Sequence, residues 1–109
     1  MQHVDLQNNR WYELTLVEQM ANIGSEIERA IKWKNKGNSD YAGLANIRAL
    51  ELFDLTLNDK RYGKGIREIT RARELWLDYY MGENQYSQTE NQWKKYFLGF
   101  AFAARNKIT

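Results

Sequence analysis

Residues 16–36 read Leu16-Val-Glu-Gln-Met20-Ala-Asn-Ile23-Gly-Ser-Glu-Ile27-Glu-Arg-Ala30-Ile-Lys-Trp-Lys34-Asn-Lys36. Leu16, Met20, Ile23, Ile27, Ala30 and Lys34 recur at spacings of 4-3-4-3-4. That repeat keeps one stripe of a helix turned toward a neighbouring helix, as in a bundle or coiled coil. A helix is expected from about Trp11 to Lys36, capped by Asn8 or Asn9 and ended at Gly37-Asn38, residues that tolerate a left-handed backbone. Gly24 lies inside it at a cost of ~1 kcal/mol relative to alanine, and close approach of another backbone is a reason to keep it.

Working outward, the 109 residues contain no proline, where average usage of ~5% gives roughly five. Helix interiors exclude proline, whereas turn-rich β architectures use it freely. A second helix is expected over about Asp40–Asn58, with Asn38, Ser39 or Asp40 as its cap and Tyr41, Ala45, Ala49, Leu52 and Phe53 turned inward. The polar stretch Asn58-Asp-Lys-Arg-Tyr-Gly-Lys-Gly65 reads as a surface loop, followed by a third helix over about Ile66–Met81 that Gly82 stops. Ser87-Gln-Thr-Glu90 matches a capping box and introduces a fourth helix, about Thr89–Lys107. Thr15-Leu-Val-Glu18 matches the same pattern but falls inside the first expected helix. Four helices with short connections predict an all-α, single-domain fold, a four-helix up-and-down antiparallel bundle.

Two helices carry more apolar surface than a lone bundle can cover. In the fourth, Trp93, Phe97, Phe100 and Ala104 share one face, yet Leu98 and Phe102 point nearly the opposite way among Lys95, Arg105 and Asn106. A helix apolar all round is normally buried all round. In the second, Leu44, Ile47 and Leu55 interleave with the polar stripe Arg48, Glu51 and Asp54. These five apolar residues are expected to form an oligomer interface, with a dimer favoured, unless loops or the first ten residues fold over them.

The third helix places Arg73 in the middle of an apolar arc, between Tyr80 and Ile66. A guanidinium is rarely buried without a carboxylate, so a buried ion pair with Glu26, Glu51 or Asp54 is expected, within or between subunits. Sixteen Lys and Arg against fourteen Asp and Glu give a net charge of only +2. Between residues 60 and 73, however, Lys60, Arg61, Lys64, Arg67, Arg71 and Arg73 face one acid, Glu68. Cations at a helix N-terminus oppose the macrodipole, and Lys60, Arg61, Lys64, Arg67 and Arg71 are the candidate contacts if nucleic acid is a partner. A second basic run (Arg29, Lys32, Lys34, Lys36) surrounds Trp33, and Lys94, Lys95 and Tyr96 form a third group.

Chemistry is sparse. His3 is the only histidine and there is no cysteine, so nucleophile–histidine pairs, thiolate metal sites and histidine clusters are not expected. Tyr62-Gly-Lys-Gly65 lacks the glycine spacing of a phosphate loop. Glu74 and Asp78, one turn apart, read as ordinary surface charge. No cofactor and no metal are expected. The longest uncharged apolar run, Phe97–Ala104, is far short of the ~20 residues of a membrane helix, the N-terminus lacks a signal-peptide layout, and a cytoplasmic location is expected.

The first two helices carry a resemblance. Met20-Ala-Asn-Ile-Gly-Ser-Glu-Ile-Glu-Arg-Ala30, the Gly-Asn break at 37–38 and Ala45-Asn-Ile-Arg-Ala-Leu-Glu-Leu-Phe53 resemble small HEPN-type helical proteins, including those that accompany minimal nucleotidyltransferases, over about a third of the chain. The nuclease branch of that family has an Arg, four to six residues, then a His; no His follows any Arg here, so that activity does not carry over. The resemblance implies a dimeric helical accessory subunit. The expected function is therefore a non-enzymatic helical module that self-associates and serves a partner protein, the alternative being a nucleic-acid-binding bundle that uses the basic 60–71 segment.

Overall fold

In a computed structural model, which describes residues 10–63 and 66–106, the chain forms four helices: α1 (Leu16–Asn35), α2 (Ser39–Leu57), α3 (Arg67–Tyr80) and α4 (Glu90–Arg105). No strand occurs among the described residues. Helix α1 is the centre of the bundle, packing against α2 on one side and α4 on the other, while α3 leans on α2. His3, Lys64 and Lys107 lie outside the described residues.

The beginning of α1 differs from the sequence expectation. The chain makes a turn at residues 10–14 and the helix starts only at Leu16. Thr15 caps it: the Glu18 N–H donates to Thr15 Oγ1 at 3.2 Å, and the Thr15 N–H donates to Glu18 Oε1 at 2.9 Å. The reciprocal pair satisfies two backbone donors that a continuous helix from Trp11 has no need to cap. A second capping box starts α4, but it is Thr89 with Gln92 rather than Ser87 with Glu90. Ser87 itself has φ +53°, a left-handed residue in the turn before the helix. Asn38 caps α2 by accepting the Tyr41 N–H, and Gly37, at φ +80°, provides the reversal between α1 and α2.

Met20, Ile23, Ile27 and Ala30 of the α1 seam are fully buried. Lys34, the last residue of the stripe, is exposed and holds its ammonium 5.1 Å from the Tyr80 ring centroid, a cation–π contact that closes the seam. At Gly24 helix α4 lies tight against α1: a Cβ built there sits 2.6 Å from Phe97 Cβ. Asn35 donates to Glu90 Oε1 at 2.9 Å, joining the end of α1 to the start of α4 and fixing their antiparallel order.

Helix α3 is held by its aromatic side chains. Trp76 is fully buried, donates its indole N–H to Asn46 Oδ1 of α2 at 2.7 Å, stacks on Tyr80 and meets Trp93 of α4 edge-on at 5.5 Å. Tyr96 of α4 donates to Glu68 of α3 at 2.9 Å. These large rings span the space between α3 and α4 that shorter side chains leave open.

Gly24→Ala tests the central contact with opposing signs. Alanine is the better helix former by ~1 kcal/mol, but its Cβ meets the root of Phe97 rather than a flexible tip. We expect a net loss of ~1–3 kcal/mol in urea unfolding; a gain in stability shows that α4 yields at no cost.

Candidate functional site

Because Trp93 and Phe97 turn toward α1 and α3, the opposite side of α4 faces solvent, and there Leu98 and Phe102 are 59% and 55% exposed. Lys95 and Arg105 are exposed beside them, whereas Lys94 is bridged to Glu90 at 2.9 Å. On α2, Ala45, Ala49, Leu52 and Phe53 fill the core, which leaves Leu44 and Ile47 outward at 65% and 55% exposure. Leu55 does not join them: it is half-buried and packs on the core. Its packing sets it apart from the exposed Leu44 and Ile47. Tyr41, expected in the core, is exposed at the start of α2, its ring meeting Trp33 edge-on at 4.9 Å.

Arg73 finds its carboxylate within the chain. Its Nε donates to Asp54 Oδ1 at 2.9 Å and its Nη2 to Oδ2 at 3.4 Å. The pair is not buried, since Asp54 is more than half exposed and Arg73 more than a quarter. The other two candidate carboxylates pair on their own helices, Glu26 with Arg29 and Glu51 with Arg48.

The basic 60–71 segment is divided by the fold. Arg61 is exposed but engaged: Nε and Nη2 grip the Asp59 carboxylate at 3.0 and 2.6 Å, and Nη2 also donates to the Leu14 carbonyl. Gln19, fully buried on α1, donates to the Trp11 carbonyl and to Asp59, and accepts the Tyr62 hydroxyl at 2.7 Å. Trp11 Nε1 donates to the buried Thr56 hydroxyl. Arg61 thus has a structural role, its guanidinium engaged by Asp59 and the Leu14 carbonyl while its side chain stays 46% exposed. Arg71 lies 5.3 Å from the Tyr86 ring centroid, Lys60 and Arg67 are exposed, and Lys64 lies outside the described residues. No composition signal marks Gln19 or Asp59 in the sequence; only the fold brings them together.

Asp59 is nearly fully buried, and its hydrogen bonds from Arg61 pull its pKa down from the ordinary 3.8 to about 2, against the opposing effect of burial. The Tyr62 hydroxyl, desolvated beside it, titrates above its ordinary value and stays a neutral donor.

Two concavities flank α4. A cleft of about 230 Å³ between α3 and α4 has Ala72, Leu75 and Trp93 among its lining, with Glu68, Arg71 and Tyr96 around them. The Trp93 indole nitrogen is buried without a hydrogen-bond acceptor. Burial and the Glu68 carboxylate hold the Tyr96 hydroxyl well above its usual range. A wider groove of about 840 Å³ joins Arg29, Lys32, Trp33 and Lys36 of α1 to Glu90 and Lys94 of α4, bringing together two basic groups far apart in sequence. Among the described residues no group of three or more His, Cys, Asp or Glu is placed to hold a metal ion, and no helix is long and apolar enough to cross a membrane.

No protein-family model matches this chain, and neither a curated protein nor a solved structure matches it.

The lowered pKa has a definite sign. A carboxylate that binds protons less readily when folded stabilises the fold above its unfolded pKa, and that contribution is lost as pH falls from about 4 toward 2. Asp59→Asn should lower stability at pH 7 by ~1.5–3 kcal/mol, the worth of hydrogen bonds to a charged group, and its difference from the wild type should narrow toward pH 2. Urea titrations at pH 7, 4 and 2 measure this; an unchanging difference assigns the effect to shape rather than charge.

Proposed function

We propose that this chain is a non-enzymatic helical interaction module of the cytoplasm, which self-associates and serves as an accessory to a partner protein. The observation that supports it is the outward position of Leu98 and Phe102 on α4, with a second outward apolar pair, Leu44 and Ile47, on α2. Single exposed apolar residues are ordinary, but paired ones in register on a helix are the pattern of a contact surface. The dimeric accessory subunit implied by the HEPN resemblance is a reading of the same kind. The alternative, nucleic-acid binding through residues 60–71, loses force because Arg61 is committed to Asp59 and Leu14.

Magnitudes set the regime in which to look. Fully burying a Leu, Ile or Phe side chain is worth ~1.5–3 kcal/mol, and these four are already about half-covered. With both copies burying all four, the remaining gain is ~6–12 kcal/mol; set against an association cost of ~4 kcal/mol or more, this leaves affinity in the micromolar range or weaker. A light-scattering or sedimentation series reaching ~100 μM covers that range, and we expect mass to rise with concentration. Phe102→Glu should return the protein to a monomer with its helicity intact. A wild type that stays monomeric throughout overturns the proposal, and a Phe102→Glu variant that unfolds assigns Phe102 to the core of the subunit.

A further inference from the structure

The two exposed faces differ in charge and share a repeat of alternating three- and four-residue steps. Along α4 the outward stripe is Lys95, Leu98, Phe102, Arg105, at steps of 3-4-3, with cations outside and apolar residues inside. Along α2 it is Asp40, Leu44, Ile47, Glu51, at steps of 4-3-4, with acids outside and apolar residues inside. Both follow the 3.5-residue repeat by which one helix lies along another. Glu51 is shared with Arg48 across 3.3 Å at the surface, a contact weak enough to be exchanged.

We infer that the self-association joins unlike faces: the outward stripe of α4 on one copy docks against the outward stripe of α2 on a second copy. This inference rests on the self-association proposed above and identifies which surfaces meet. Pairing α4 with α4 is disfavoured by register. In an antiparallel pair, placing Leu98 against Phe102 sets Lys95 against Arg105, and in a parallel pair each cation meets its own counterpart. Pairing α4 with α2 meets neither problem. Antiparallel, Leu98 falls on Ile47, Phe102 on Leu44, Lys95 on Glu51 and Arg105 on Asp40. Parallel, Leu98 falls on Leu44, Phe102 on Ile47, Lys95 on Asp40 and Arg105 on Glu51. Like charges set in contact are a strong source of discrimination between such arrangements.

The glycines supply an independent argument. Of the three inside helices, Gly24 is accounted for by Phe97, but a Cβ built at Gly43 or at Gly99 meets nothing within 4 Å beyond its own helical turns. Each adjoins one of the two stripes. Glycine weakens a helix interior, and nothing among the described residues requires it at these positions. A partner helix lying close against the backbone does.

The absence of native cysteine permits a direct test by single-cysteine variants under oxidising conditions. Leu98→Cys mixed with Leu44→Cys, or with Ile47→Cys, should give a disulfide-linked pair of the two different variants, the faster partner reporting the direction of the helices. Leu98→Cys alone should cross-link slowly. Charge provides the second measurement. Asp40→Lys with Glu51→Lys should be monomeric by light scattering, as should Lys95→Glu with Arg105→Glu, and mixing the two should restore association. Gly99→Ala should raise the melting temperature at dilution yet weaken association roughly tenfold. If Leu98→Cys links chiefly to itself, if no mixture cross-links, or if the α2 charge variant associates like the wild type, this inference is overturned while self-association stands. A wild type that is monomeric at ~100 μM overturns both.

Discussion

Phe97 resting on the bare backbone of Gly24 fixes the distance between α1 and α4, and the exposed surface follows from that distance. With its ring directed there and Trp93 directed to Trp76, α4 spends its bulkiest side chains on one side. Leu98 and Phe102, roughly half a turn round, are left exposed. Helix α2 is in the mirror situation: its alanines lie close against α1, and Leu44 and Ile47 are left on the far side. A bundle built around one central helix therefore shows an unused apolar stripe on each flank.

The periodicity of α1 was legible because its buried side chains are spaced by the helix itself. The two S/T-x-x-E/Q patterns were legible as well, but their order of merit was not. Thr15–Glu18 is a true cap because Trp11 leaves the helical path to hydrogen bond with Thr56, a residue 45 positions away. Ser87–Glu90 fails because Ser87 takes a left-handed turn conformation two residues before the real cap. Local pattern cannot rank two such matches when distant contacts decide between them. The same holds for Arg61, which reads as one surface cation among several until the Leu14 carbonyl and Asp59 are brought beside it, and for Leu55, whose place on the helical wheel does not reveal that it packs on the core. Of the candidate site, Leu98, Phe102, Leu44 and Ile47 were readable from wheel position alone, because exposure on a helix is a matter of angle. The match in charge between the two faces depends on knowing which residues remain outward.

Electrostatics in this protein works over short range. The net charge of +2 conceals a division of labour in which Arg61 and Arg73 each engage a carboxylate and Lys34 lies over aromatic rings. The crowding of cations before α3 is relieved in the same way: Arg61 turns to Asp59, and Glu68 occupies the first turn of the helix.

The Gln19 cluster couples parts of the chain that are remote in sequence. The turn at residues 10–14, the loop at 58–63 and the first turns of α1 share one set of polar contacts around a single amide side chain. No one of these segments can loosen without uncovering donors or acceptors in the others. Their amide protons therefore belong to one cooperative opening unit, exchanging with solvent together rather than fraying separately from each loose end.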